Sequence, residues 1–62
     1  MNRLKLALDL RNILQAKFAE MIGINAITLN RYIKGTRTPN ANVIVKICKT
    51  LNISADWLLE LI

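Results

Sequence analysis

The segment between positions 25 and 37 of this 62-residue chain carries polar side chains that could do chemistry together. Arg31, Lys34 and Arg37 supply cations, and Asn25 and Asn30 supply amides. A guanidinium can donate two parallel hydrogen bonds to a planar acceptor, whereas an ammonium binds an anion as a point charge. These residue types indicate the binding of a polyanion.

Proton-transfer and metal chemistry find little support in the composition. The chain contains no histidine and only four carboxylates, which are scattered, so no acid–base pair can be proposed. Cys48 is the only cysteine, which excludes an internal disulfide and argues against a zinc or haem site. We expect neither an enzyme nor a cofactor, and no small-molecule ligand is evident. We interpret Cys48 as an inert core residue.

The positive charge is unevenly distributed along the chain. The net charge is +5, and residues 1–38 carry seven of the nine Lys and Arg residues but only two of the four acidic ones. Residues 39–62 carry equal numbers of each, so the whole excess lies in the first part. This distribution suggests a basic face for nucleic acid, although a merely solubilising surface would give the same totals.

Length and hydropathy indicate one small domain over residues 1–62, with a modest core. Hydrophobic residues make up 53% of the chain and the mean hydropathy is +0.31, so we expect some apolar surface to stay exposed and to favour self-association. No apolar run reaches the length of a bilayer-spanning helix, and no signal-peptide pattern is present. We expect a cytoplasmic protein that does not enter a membrane.

The apolar spacing predicts an all-α fold of five short helices. They cover residues 3–11, 15–22, about 26–34, about 41–51, and a fifth helix that begins after Ser54 and carries Trp57, Leu58, Leu61 and Ile62. Leucines alternate in 3–11 as in a strand, but Leu, Ala, Lys and Arg favour a helix there. The expected inward positions are Leu4, Ala7, Leu8, Phe18, Ala19, Ile22, Leu29, Tyr32, Ile33, Val43, Ile44, Ile47, Cys48 and Leu51.

Helix-capping and helix-terminating residues predict where the helices begin and end. Asn25, Asn40 and Ser54 are expected N-caps, because their side-chain oxygens can accept from free backbone N–H groups. Gly23 and Gly35 are expected to end helices two and three, the first with a positive φ. Asn12 and Asn52 are expected to end helices one and four, and Asn12 tolerates the left-handed conformation found at helix ends.

Helices two and three show the pattern of a helix-turn-helix. A small residue allows the two helices to cross closely, a glycine makes the bend, and aliphatic residues hold the crossing angle. The pattern consists of Gln15, Ala19, Gly23, Ile24, Leu29 and Tyr32.

From about residue 4 to residue 59 the chain resembles the helix-turn-helix domain of phage repressors, Cro-like proteins and XRE-type bacterial regulators. The matching residues are QAKFAEMIGINAITLNRYIKG, then Pro39, then VIVKICKTLNISADWLL. The resemblance implies a lambda-repressor-like fold of five helices and binding of double-stranded DNA. It also implies a homodimer on a near-palindromic operator. We expect a transcriptional regulator of phage or bacterial type, acting as a repressor.

Three positions depart from the family pattern. Leu14 stands where the family commonly has a Ser or Thr that caps helix two. Leu8 and Ile33 stand where the family commonly has an Arg and a Glu that form a buried ion pair. We expect these two residues to pack together, since apolar residues can often replace a buried ion pair without loss of stability.

Helix geometry selects the expected DNA contacts. Because each residue turns the helix by about 100°, Ile27 and Lys34 lie nearly opposite the core-facing Leu29. The expected base contacts are Ala26, Ile27, Asn30 and Arg31, with Ile27 against a thymine methyl and Arg31 on guanine. The expected contacts to the DNA backbone are Gln15, Lys17, Asn25, Thr28, Lys34, Thr36 and Arg37. Lys46 and Lys49 are expected to be ordinary surface residues.

Apolar residues outside the predicted core suggest a self-association surface. Leu6 and Leu10 form an outward pair, and the chain ends in LLELI. The candidates for a dimer interface are Leu6, Leu10, Trp57, Leu61 and Ile62, unless the two patches cover each other within one chain. An alternative function uses the same scaffold as a protein-interaction module, such as an antitoxin or antirepressor.

Overall fold

The computed structural model describes residues 1–62 and contains five helices and no strand. They are α1 (Asn2–Leu10), α2 (Gln15–Ile22), α3 (Ala26–Lys34), α4 (Ala41–Leu51) and α5 (Ala55–Leu58). The predicted all-α class with five helices is confirmed.

Side-chain caps begin three of the helices, as predicted. The Oδ1 atom of Asn25 accepts from the backbone N–H of Ile27 at 2.7 Å, and that of Asn40 accepts from Val43 at 3.0 Å. Ser54 Oγ accepts from the N–H of Trp57 at 3.1 Å. Each bond satisfies a donor that would otherwise lack a partner in the first turn.

All five helices end with the same kind of bond, in which a backbone N–H two or three residues past the last helical residue donates to a carbonyl oxygen five residues earlier. This bond and a left-handed residue before it form the Schellman motif. The left-handed residues include Gly23 at φ +73°, Gly35 at φ +81°, Asn12 at φ +60° and Asn52 at φ +55°. The positive φ was predicted for Gly23, and the other three residues were predicted to end their helices. The five bonds measure 2.8–3.1 Å and join Ile13 to Leu8, Ile24 to Ala19, Thr36 to Arg31, Ile53 to Cys48, and Leu61 to Asp56.

The end of α5 differs from the prediction. The helix is a single turn that ends at Leu58, so the expectation that it carries Leu61 and Ile62 is wrong. Glu60 adopts φ +60°, and the bond from Leu61 to the carbonyl of Asp56 closes the helix there. Residues 59–62 form a short tail after α5. Its last two side chains face solvent, with Leu61 69% and Ile62 73% exposed.

One apolar core holds the helices together. It consists of Leu4, Ala7, Leu8, Phe18, Ala19, Ile22, Leu29, Tyr32, Ile33, Ile47, Leu51 and Leu58, all of them predicted to be inward except Leu58. Val43, Ile44 and Cys48 are half-buried and pack against this core rather than within it. Leu8 and Ile33 are both members, so two apolar side chains occupy the positions where the family pattern commonly has an ion pair.

The start of α2 lacks a side-chain cap, because Leu14 occupies the N-cap position and cannot accept a hydrogen bond. Its side chain is 77% exposed and therefore contributes little packing. Leu14→Ser is expected to stabilise the fold by about 1 kcal/mol, which raises the melting temperature by roughly 4–8 °C in a domain of this size. Thermal unfolding followed by circular dichroism measures the change.

Leu14→Ala is the matched control, because it removes the same exposed side chain without adding an acceptor. Equal melting temperatures for the Ser and Ala variants would show that the missing cap does not limit the stability of α2.

Candidate nucleic-acid interface

α2 and α3 pack against each other across a tight corner, as the predicted helix-turn-helix requires. Ala19 is 2% exposed in this contact, and Leu29 is fully buried beneath it. Gly23 reverses the chain in the left-handed conformation, and Ile24 packs half-buried against the core. The corner therefore holds the outer face of α3 in a fixed orientation.

The outer face of α3 carries the side chains predicted to meet bases. Ile27 is 63% exposed, although the core-facing residues of the same helix are buried. Ala26 and Arg31 are also exposed, whereas Asn30 is half-buried beside them. The structure therefore brings the four predicted base-contacting residues onto one accessible surface of α3.

Asn25 has a structural role in addition to the predicted one. Its side-chain oxygen accepts the backbone N–H of Ile27, which leaves the amide nitrogen as the group that could donate outward. Thr28 is half-buried.

Gln15 is exposed at the start of α2, where the first backbone N–H groups face no capping side chain. Free N–H groups at a helix start favour an anion, such as a phosphate.

The cations near α3 are not neutralised within the protein. The three salt bridges of the structure involve Arg3, Lys5 and Lys17. The Lys17–Glu20 pair spans 3.9 Å between exposed side chains, so it is weak. The exposed cations Arg31, Lys34 and Arg37 belong to no ion pair, and their field extends into solvent from one end of α3.

The loop after α3 is anchored to that helix. The carbonyl oxygen of Arg31 accepts from the backbone N–H groups of Thr36 at 3.1 Å and Arg37 at 3.4 Å, and the Thr36 hydroxyl donates to it at 3.4 Å. These bonds hold the three predicted backbone-contacting residues Lys34, Thr36 and Arg37 beside the end of α3.

The family model described as Helix-turn-helix matches residues 4–58. The chain belongs to the helix-turn-helix family of the Cro/C1 type. Members are DNA-binding transcriptional regulators and are generally not enzymes. No curated protein and no solved structure matches the chain significantly.

Two of the cations counted in the basic first part of this helix-turn-helix protein are engaged away from α3. Arg3 donates to the backbone oxygens of Trp57 and Ile62, and Lys5 pairs with Asp9 at 2.9 Å. The excess charge of residues 1–38 is therefore not one continuous face. Sequence position alone could not separate these residues from the cations around α3.

The amino group of Met1 is a contact that the sequence did not predict. It donates to the carbonyl oxygens of Tyr32 at 2.8 Å and Ile33 at 3.0 Å, at the last turn of α3. A positive charge at a helix C-terminus is favourable because it opposes the helix dipole. This contact links the start of α1 to the end of α3.

Three further features of the helix-turn-helix protein concern metal binding, its thiol and the length of its helices. No cluster of three or more metal-binding side chains is present. Partial burial raises the pKa of the Cys48 thiol, which favours its protonated form. None of the five helices has the length and apolar character needed to cross a bilayer.

Proposed function

We propose that the protein is a sequence-specific repressor that binds a near-palindromic operator as a homodimer, with α3 in the major groove. The observation that carries this proposal is the outer face of α3, where exposed Ile27 and Arg31 lie beside unpaired cations. Family membership supports DNA as the polyanion, and the rigid corner supports α3 as the element that reads it.

Arg31 and Ile27 are the main readers of sequence in this proposal. Arg31 donates two hydrogen bonds to O6 and N7 of a guanine, and Ile27 contacts a thymine methyl one turn earlier. Asn30 reads an adenine, and the small Ala26 allows the helix to approach the base edges closely.

Contacts to the phosphates position α3 without reading sequence. Lys34, Thr36 and Arg37 grip the DNA backbone at the end of α3. At the other end of the motif, the side chain of Gln15 and the free N–H groups of α2 receive a phosphate. Lys17, Asn25 and Thr28 complete this set of backbone contacts.

The homodimer uses the outer face of α1 and the tail. Leu6 is 46% exposed and Leu10 is 73% exposed, so the tail does not cover them within one chain. Trp57 is half-buried, and Leu61 and Ile62 are exposed next to it in the chain. A complex of this kind acts in the cytoplasm of a bacterial cell.

The salt dependence of binding tests the proposal. Lys17, Lys34 and Arg37 give six phosphate-contacting cations in a dimer, so the logarithm of affinity should fall with the logarithm of salt concentration at a slope of about −5. Fluorescence anisotropy with labelled duplex DNA measures this slope. Binding that is absent at low salt would reject the proposal and favour the protein-interaction module, whose apolar interface is insensitive to salt.

Ile27→Ala is expected to weaken binding to the operator by about five- to tenfold, because it removes apolar surface worth roughly 1 kcal/mol from a base contact. Folding should stay nearly intact, since the side chain is 63% exposed. Anisotropy titrations of the operator and of unrelated DNA measure the effect. Val45→Ala, which trims another exposed aliphatic side chain on α4, is the control. An equal loss on both DNAs would show that Ile27 does not read sequence.

A further inference from the structure

Arg3 connects the start of α1 to the end of the chain. One of its terminal nitrogens, Nη1, donates to the backbone oxygens of Trp57 and Ile62, each at 2.7 Å. The guanidinium lies 5.4 Å from the centre of the Trp57 ring, within the range of a cation–π contact. Its Nε atom is 3.9 Å from a carboxylate oxygen of Glu60.

These contacts shape a surface cleft. The tail after α5 is held against α1, and between them lies an open cleft of about 430 Å³. Its lining is mostly apolar and consists of Leu10, Arg11, Ile53, Ser54, Trp57 and Ile62. Leu10 and Ile62 are each 73% exposed at its edge, so apolar side chains project into solvent beside an apolar depression.

We propose that Arg3 is a positioning residue for self-association, and that a second copy of this chain docks on the cleft that Arg3 shapes. The proposal rests on the homodimer of the proposed function and deepens it by naming the surface and the residue that organises it. Arg3 makes no contact with the partner in this account. It acts by holding Trp57 and Ile62 in place.

A second copy fits this surface for reasons of shape. A two-fold interface brings the same patch of both subunits together, so a projection and a depression side by side are self-complementary. A standard interface takes about 800 Å² from each partner, and that is about a fifth of the 4164 Å² of accessible surface of this chain. Leu6, one turn before Leu10 on α1, extends the apolar area beyond the cleft.

Charge and position also favour a second copy. Arg3 lies beside Glu60, and Lys5 pairs with Asp9, so these two cations are balanced within the chain. Arg11 is the one cation that lines the cleft, and its guanidinium donates to the carbonyl oxygen of Ala7, so a strongly acidic partner would meet a single cation there. α5 packs mainly on α1 and α4, so docking here leaves α3 free for DNA. Because Arg3 already orders the tail, association loses less conformational entropy.

The test compares Arg3→Met with Lys5→Met by sedimentation equilibrium of the full chain. Both variants remove one positive charge from α1, but Lys5 makes only an exposed pair within its own helix. We expect Arg3→Met to raise the dimer dissociation constant by about tenfold or more, and Lys5→Met to leave it unchanged. Ile62→Asp, at an exposed position, should also abolish association without unfolding the monomer.

Two measurements distinguish a role of Arg3 in positioning the docking surface from a role in stabilising the fold. Trp57 is the only tryptophan, so its emission should shift to the blue as the wild-type chain is concentrated, and Arg3→Met should shift only at higher concentration. Binding to a DNA half-site by the monomer should be equal for the two Met variants, because neither alters α3. If Arg3→Met folds poorly, Arg3→Lys keeps the charge and should lie between it and the wild type in association.

Wild-type association by folded Arg3→Met or by Ile62→Asp would overturn this inference while leaving DNA binding by α3 intact. A wild-type chain that dimerises through this surface but binds no DNA would overturn the proposed function instead.

Discussion

Replacing Arg31 with alanine is expected to lower affinity for the operator by about 10- to 100-fold, because a bidentate contact to guanine is worth roughly 1–3 kcal/mol. The fold should persist, since the side chain is exposed and belongs to no ion pair, and the carbonyl bonds that anchor the following loop do not depend on it. Discrimination against operators with the contacted guanine replaced should shrink at the same time.

Lys49→Ala is the matched control for this measurement. It also removes one exposed cation near the end of a helix, but from α4, which the proposal keeps away from DNA. Anisotropy titrations at one fixed salt concentration should show little change for this variant. Equal losses for both variants would mean that net charge, rather than a contact by Arg31, drives binding. Undiminished discrimination in Arg31→Ala would exclude that residue as a reader of guanine.

Ile33→Glu is expected to destabilise the protein by about 3–5 kcal/mol, because it places a carboxylate in the core without a cation beside it. Ile33 is 7% exposed, and Leu8, at the position where the family commonly has arginine, is 1% exposed. A small domain has about this much stability in total, so the variant should be largely unfolded at pH 7. Urea unfolding at 25 °C measures the loss.

The pH dependence of this variant follows from the same burial. Burial disfavours the charged carboxylate, so the pKa of the carboxyl group introduced at position 33 would be higher in the folded state than in the unfolded chain. The destabilisation should therefore be smallest below the unfolded pKa and grow as the pH rises through the folded pKa.

The double variant Leu8→Arg, Ile33→Glu restores both members of the family's ion pair. It should be more stable than Ile33→Glu alone, although less stable than the wild type, since a buried ion pair often stabilises less than well-packed apolar residues. Additive destabilisation by the two substitutions would show that the side chains at positions 8 and 33 are not coupled.

Local chemistry made most of the helix boundaries predictable. Asn25 and Ser54 cap helices because their side chains reach the N–H groups two or three residues ahead. Gly23 ends α2 because a left-handed residue is needed there. The core-facing side of each helix followed from apolar spacing, and the burial of Phe18 and Leu29 confirms it.

The tail and the start of α1 depend on contacts between residues far apart in sequence. Glu60 takes a left-handed conformation that glutamate does not favour, so nothing local predicted that α5 would end before Leu61. Arg3 reaches Trp57 and Ile62 across more than 50 residues. Such contacts leave no periodic signal in the sequence.

The candidate interface was predictable in part, because the outer face of α3 follows from helix geometry once Leu29 faces the core. The sequence did not predict which cations are paired within the chain and which are free to contact DNA. Arg3 and Lys17 have the same charge as Arg31, but only the packed structure shows which of them already have partners. The second role of Asn25, as a cap with one outward donor, emerged in the same way.

Selection of bound sequences from a random pool of duplex DNA tests the central claim most directly. The proposed homodimer predicts one enriched motif made of two inverted half-sites, with centres about one helical turn, or roughly 10 base pairs, apart. Each half-site should contain a guanine whose replacement affects the wild type more than Arg31→Ala. A pool that yields no enriched motif, or a motif without a repeated half-site, would contradict the account.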